Sequence, residues 1–231
     1  MNAEAVVFSL GPLAVTRAVV TTWAVMLLLA GGCAILTRRL QLEPDRWQTV
    51  LEGIVGAIHA TIEDTLPQHG RRLMPFIGSL WIFLAVANLV GILPGATSPT
   101  GDLSTTSALA ALVFLSVHAY GLTSEGPRAY LRHYLQPSPI MLPFHIVSEI
   151  SRTVALALRL FGNVMSLETA AVLVLLVAGF LVPVPVLALH IVEALVQAYI
   201  FGMLALMYIA GGIQSQQRLG RNHASTHGAS S

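Results

Sequence analysis

Between Pro143 and Pro183 the chain reads PFHIVSEISRTVALALRLFGNVMSLETAAVLVLLVAGFLVP, with four charges (Glu149, Arg152, Arg159 and Glu168) set among apolar residues. As one α-helix the forty residues from proline to proline would measure about 60 Å at 1.5 Å per residue. The hydrocarbon core of a bilayer is only about 30 Å thick. Such a helix must lie steeply inclined, far beyond the usual tilt of about 20°, or it must break, and Gly162-Asn163 is where a break is expected. Either way the segment is built for more than crossing.

The rest of the chain places this segment in a membrane. Of 231 residues, 55% are hydrophobic and 10% are charged, against about 25% charged in a soluble domain. So little charge cannot clothe a soluble surface of this size. The composition excludes a disordered chain, a secreted soluble domain and a nucleic-acid-binding protein; the net charge is +1 and no basic patch exists to track phosphates. Residues 18–36 form an uncharged first span, and residues 73–122 hold two more (73–93 and 103–122) joined by a short polar loop after Pro94-Gly95. Residues 140–213 form a long pair of segments divided at Pro183-Val184-Pro185. Over 45–66, Trp47, Val50, Leu51, Ile54, Val55, Ile58, Ile62 and Leu66 recur at helical spacing, with Asp45, Glu52, Glu63 and Asp64 between them. That is an amphipathic helix lying on the membrane surface or against other helices. Residues 214–231, polar and rich in Gly, Ser and His, read as a disordered tail. The expected fold is an all-α polytopic membrane protein, a single integral membrane domain over 1–231. It has about five crossings and one interfacial helix, and its last two helices are long and steeply inclined.

All twelve basic residues are arginine, and their distribution sets the orientation. Arg38, Arg39, Arg46, Arg71 and Arg72 flank one loop, Arg128 and Arg132 lie in another, and Arg218 and Arg221 are in the tail. The loops at 96–102 and 181–185 contain none. Positive loops stay inside, so the N-terminus is expected outside and the C-terminus in the cytoplasm. The residues before the first span lack a strongly basic region, which argues for a retained helix over a signal peptide. Cys33, the lone cysteine, rules out an internal disulfide and reads as a small buried hydrophobe.

Charges inside spans each cost about 2.5–3.5 kcal/mol on insertion scales and mark ion routes by default. Glu149 and Arg152, three apart, can instead neutralise each other. Arg159 has no such neighbour: Glu168 is nine residues on, about 180° round an ideal helix, and a guanidinium does not shed its proton. Its carboxylate must come from another helix or another chain. In the last segment His190, Glu193 and Gln197 line one helix face, either as a wet proton-exchanging path or as a polar seam between helices. Asn88 fits a helix–helix hydrogen bond or a route equally, and Asp102 fits a helix cap or an outer cation attractor. His118 and His145 read as packed and satisfied, and His223 and His227 as solvated.

The run Ser148-Glu149-Ile150-Ser151-Arg152, then Leu158-Arg159-Leu160-Phe161-Gly162-Asn163, then Glu193-Ala194-Leu195-Val196-Gln197-Ala198-Tyr199-Ile200-Phe201 resembles subunit a of F-type ATP synthases. Asn88-Leu89-Val90-Gly91-Ile92-Leu93-Pro94, Asp102-Leu103-Ser104-Thr105-Thr106 and Pro137-Ser138-Pro139 agree, and the likeness runs in order from Trp47 to Tyr208. The resemblance implies two long inclined helices wrapped on a rotating ring of c subunits, with b subunits of a peripheral stalk and the rest of the synthase as further partners. It implies that Arg159 faces the ring carboxylate and that Glu168, His190 and Glu193 belong to an outer half-channel. It also sets Gln197 near the arginine and keeps Asn163, Asn88, Asp102, Glu149 and Arg152 as secondary or structural groups. A plain antiparallel count from Pro183 instead puts Gln197 opposite Glu168. The resemblance implies a bacterial inner membrane, a coupling ion that is a proton or sodium, and no cofactor, metal or catalytic residue in this chain. A secondary transporter would often show internal repeats, and none is evident. An intramembrane hydrolase needs a nucleophile with a base, or a metal constellation; Ser148 and Ser151 beside Glu149 are poor candidates.

Overall fold

The computed structural model describes residues 6–10, 13–38, 45–67, 70–93, 98–125, 142–178 and 183–228, with side chains of the last segment described as far as residue 212. A short antiparallel hairpin, β1 (Val6–Leu10) and β2 (Leu13–Thr16), precedes α1 (Arg17–Arg38), α2 (Arg46–Thr65) and α3 (Gly70–Val90). A 3-10 turn at Pro99–Gly101 leads to α4 (Leu103–Glu125), α5 (Leu142–Ala178) and α6 (Pro183–Gly228). Five of these helices, all but α2, are long and apolar enough to cross a membrane. The chain is an all-α polytopic membrane protein, apart from the hairpin. The loop carrying Arg128, Arg132 and Pro137-Ser138-Pro139 lies outside the described residues.

The local chemistry accounts for the helix boundaries. Asp45 caps α2, its carboxylate accepting from the Arg46 amide at 2.8 Å, and Asp102 does the same for α4 through the Ser104 amide at 2.9 Å. The amphipathic α2 buries Ile62 and Leu66 while Val50, Leu51, Ile54 and Val55 stay exposed. Its second half packs on α3, and its first half offers an apolar face suited to lipid. The hairpin has no counterpart in the sequence reading, which starts its first element at residue 18. Its only local signal is Val6-Val7-Phe8 ahead of Gly11-Pro12, a β-rich run before turn residues.

Helix α5 does not break. It runs 37 residues through Gly162-Asn163, and a Cβ at Gly162 would meet nothing within 4 Å, so that glycine marks no kink. Its apolar stretch alone covers 35 residues, about 52 Å of helix. Within a core of about 30 Å such a helix fits only at a steep incline. Helix α6 corrects the reading of the tail. It continues as helix to Gly228, because Gln214, Gln216, Gln217, Arg218 and Leu219 are strong helix formers and no proline interrupts them.

The core lies where α3, α4, α5 and α6 meet. Leu73, Ile77 and Leu84 of α3 join Val113 of α4, Leu156 and Leu160 of α5, and Phe201, Leu206 and Ile209 of α6. Peripheral α1 buries only Ala18 and Val25, and Cys33 is exposed there, contrary to the buried position its apolar surroundings suggest. Helices α3 and α6 approach closely at Trp81. The Trp81 indole donates to the Tyr199 carbonyl at 3.1 Å, stacks on the Tyr199 ring at 5.8 Å, and fills the space a Cβ at Gly202 would need. A side chain at residue 202 must therefore drive α3 and α6 apart. Gly202→Ala is expected to cost about 1–3 kcal/mol, the usual penalty of overpacking, seen as a lowered melting temperature of the detergent-purified complex. Trp81→Ala in the same chain should recover part of the loss, and an unchanged melting temperature for Gly202→Ala would contradict the contact.

Candidate functional site

Helix α5 presents Arg159 on its outer, exposed side, together with Val154, Leu158 and Met165. Among the described residues Arg159 makes no ion pair or hydrogen bond. The surrounding surface is apolar over most of its length: Phe144 is 70% exposed, Leu176 81% and Val177 84%. On α6, Leu195, Val196 and Tyr199 are likewise exposed. A permanent cation in the middle of an exposed apolar face thus has no stable partner among the described residues. Lipid alone is a costly neighbour for it.

One helical turn beyond Arg159, Asn163 crosses to α6 and donates its amide to Gln197 Oε1 at 2.5 Å. Gln197 is 2% exposed, and its Nε2 finds no acceptor. This contact overturns the antiparallel count that set Gln197 opposite Glu168. Residues 163 and 197 are equidistant from residue 180, so the pairing of α5 with α6 is centred ahead of Pro183 and not on it. The shift brings the Gln197 amide to within a turn of Arg159, where the family resemblance sets it.

Glu168 points away from Arg159, toward the 3-10 turn. A Cβ on Gly101 would stand 3.3 Å from its Oε1, so glycine permits this approach. The turn rests on a buried hydrogen-bond chain. Thr100 Oγ1 donates to Asn88 Oδ1 at 2.6 Å, Ser98 Oγ lies 2.7 Å from Thr100 Oγ1, and the Asn88 amide donates to the Ala194 carbonyl at 3.2 Å. Asn88 is thus a helix–helix hydrogen bond that also props the turn beneath Glu168. His190 is buried, and Glu193 stands one turn away on the same face of α6, close enough to interact with it electrostatically. Ser98, Thr100 and Gly101 are absent from the sequence reading, because three small loop residues carry no signal until the fold brings Glu168 to them.

At the other end of α5, Glu149 and Arg152 do not pair with each other. Glu149 Oε1 lies 3.9 Å from His118 Nε2 on α4, and the Arg152 guanidinium sits 5.6 Å over the Tyr208 ring of α6. His118 is half-buried and hydrogen-bonded, as its reading held, whereas His145 is exposed at the start of α5. Asp102 is occupied as a cap. His223 and His227 lie where only the backbone is described. Among the described residues no group of three or more His, Cys, Asp or Glu is placed to hold a metal ion.

Residues 19–210 match the family described as the ATP synthase A chain. The chain is 58% identical over 222 residues to ATP synthase subunit a 1 of Hahella chejuensis, covering 95% of this chain and 94% of that one. It is 59% identical over 208 residues to ATP synthase subunit a 2 of Pelobacter propionicus (90% and 91% covered). It is also 53% identical over 211 residues to ATP synthase subunit a of Legionella pneumophila strain Philadelphia 1 (91% and 92% covered). With a family match over residues 19–210 and relatives 53–59% identical along nearly its whole length, the chain belongs to the family of ATP synthase subunit a.

Proposed function

We propose that this chain is the stator subunit a of a rotary F-type ATP synthase in a bacterial plasma membrane. It provides two aqueous half-channels to a ring of c subunits, and the ring seats on the exposed apolar face of α5 and α6. The observation that carries the reading is Arg159, an exposed guanidinium without a partner among the described residues, halfway along a helix too long for a simple crossing. A ring carboxylate must be neutral while it faces lipid. Beside Arg159 the cation favours its ionised form, so the carboxylate releases its ion to one half-channel, passes the arginine and reloads from the other. The same fixed charge repels a cation crossing directly between the two, which prevents leakage.

Glu168, His190 and Glu193, with the turn propped by Asn88, belong to the outer half-channel in this reading. Asn163 and Gln197 hold α5 and α6 in register beside Arg159. The unmatched Gln197 Nε2 has the right polarity to donate to an approaching carboxylate. The loop arginines and the tail arginines Arg218 and Arg221 support a cytoplasmic C-terminus by the positive-inside rule. The b subunits of the peripheral stalk and the rest of the synthase complete the assembly. A membrane potential of 100 mV supplies about 2.3 kcal/mol per elementary charge, so several protons or sodium ions must pass per ATP. No Gly-rich phosphate loop is present in the sequence, and the phosphoryl chemistry belongs to other subunits.

Arg159→Ala is expected to abolish ATP-driven ion pumping in inverted vesicles, by about a hundredfold or more, while the complex still assembles; the loss of a positioned charge at the reacting centre has that order of effect. A variant that pumps at the wild-type rate would sink the proposed mechanism. Gly101→Val tests the outer route, because the new side chain must displace the Glu168 carboxylate. Pumping per assembled complex should fall about ten- to hundredfold, as misplacement by about 1 Å commonly does. Normal pumping by Gly101→Val would remove Glu168 from the route.

A further inference from the structure

The His118–Glu149 contact joins two titratable groups inside the apolar bundle, far from the Glu168 end. The ring of His118 is fixed on α4. Its Nδ1 is 2.9 Å from the Phe114 carbonyl, and the Phe114 ring packs against it at 4.3 Å between centroids. A carbonyl only accepts, so Nδ1 carries a proton and donates it. In a neutral imidazole Nε2 then bears the lone pair, and that is the nitrogen facing Glu149 Oε1 at 3.9 Å. With no proton between them a lone pair confronts a carboxylate; one added proton makes the contact favourable, whichever atom holds it. The pair is therefore a one-proton site by geometry.

A cavity of about 30 Å³ between α4, α5 and α6 lies against Glu149, walled in part by Arg152, Thr153 and Tyr208 and in part by apolar side chains of α4 and α5. That is room for one water molecule beside Glu149. The charged and titratable groups facing the pair are Arg152 on its own helix and Tyr208 on α6, which lie against each other; His145 is one turn before Glu149 on α5. On α4 itself Tyr120 turns instead toward Phe76, 6.1 Å between centroids. Both members keep access to the outside, with side chains 29% and 23% exposed. Along α5, Glu149 precedes Arg159 by ten residues and Glu168 follows it by nine, about 15 Å and 14 Å of helix. Arg159 thus stands midway between two carboxylates.

We propose that His118 and Glu149 form the proton-exchanging site of the cytoplasmic half-channel, counterpart to Glu168 on the outer side. This rests on the stator reading above. During ATP-driven pumping the pair takes one proton from cytoplasmic water and passes one toward the ring carboxylate. An imidazole beside a carboxylate is suited to this because either partner can hold the shared proton, as donor from Nε2 or from the carboxyl.

The test is the pH profile of ATP-driven proton pumping in inverted vesicles, whose cytoplasmic face is outward, in sodium-free buffer and normalised to assembled complex. Without the pair, uptake must rely on protons from bulk water, which grow scarce as pH rises. Glu149→Gln and His118→Gln are each expected to pump within about twofold of wild type at pH 6 and about tenfold slower at pH 8, a modest share of what a positioned proton-transfer group supplies. Glu149→Asp should restore most of the alkaline rate. An unchanged profile, or a loss equal at every pH, would overturn the proposal and leave the pair as a pin between α4 and α5. A wild-type enzyme that pumps only with sodium and ignores pH would overturn it as well. Arg159→Ala, run alongside, separates the two levels: it should not pump at any pH, and if it pumped, the stator reading itself would be what had failed.

Discussion

A guanidinium keeps its proton in any protein environment, and Arg159 sits on an exposed apolar side of α5 without a counter-ion among the described residues. A charge alone at mid-bilayer is costly on every scale, so the position is tenable only if something outside the chain completes it. The rest of the architecture follows from that need. Helix α5 is long because it must carry Arg159 along the face of a partner. The exposed leucines and valines on either side of Arg159 extend that face. The core on the opposite side, built from Leu156, Leu160, Phe201 and Leu206, supplies the rigidity that keeps the charge in one place.

The two ends of the bundle are built from different chemistry. Near Glu168 the buried polar groups are neutral: Asn88, Ser98 and Thr100 satisfy one another and the Ala194 carbonyl, so the turn that abuts Glu168 is held without adding charge. Fully satisfied networks of this kind are rigid and cheap to bury. At the far end the groups are ionic or titratable (Glu149, His118, Arg152, Tyr208), and they are not saturated by one another. Arg152 finds a ring face where a carboxylate was expected. Glu149 instead approaches His118 on the neighbouring helix at 3.9 Å.

Much of this was legible from residues alone, and the reasons for the failures are specific. The distance from Pro143 to Pro183 against the thickness of a bilayer was enough to mark α5 as inclined or broken, and the nine-residue gap from Arg159 to Glu168 was enough to show that the arginine needed an outside partner. Both arguments use only helix geometry, which sequence fixes well. The choice between incline and break was not legible, because glycine at residue 162 permits a kink without requiring one. The tail misled because its Gly, Ser and His content was averaged with the helix-forming stretch that follows Ile213. Ser98, Thr100 and Gly101 were invisible because their roles exist only through contacts with residues more than sixty positions away or across a helix boundary.

The register of α5 against α6 shows most plainly where sequence counting stops. Prolines at 183 and 185 suggested a turn centred on them, yet proline is well tolerated in the first turn of a helix, where its missing N–H would be unpaired anyway. The chain uses both as the start of α6, and the pairing of residues 163 and 197 is centred ahead of them. A displacement of a few residues at the turn is carried along the whole helix pair. It moves Gln197 from the level of Glu168 to the level of Asn163, with the 2.5 Å bond between them fixing the result. That single amide pair sets the height of Arg159 relative to His190 and Glu193, and with it the separation of the two ionic ends that a fixed cation must keep apart.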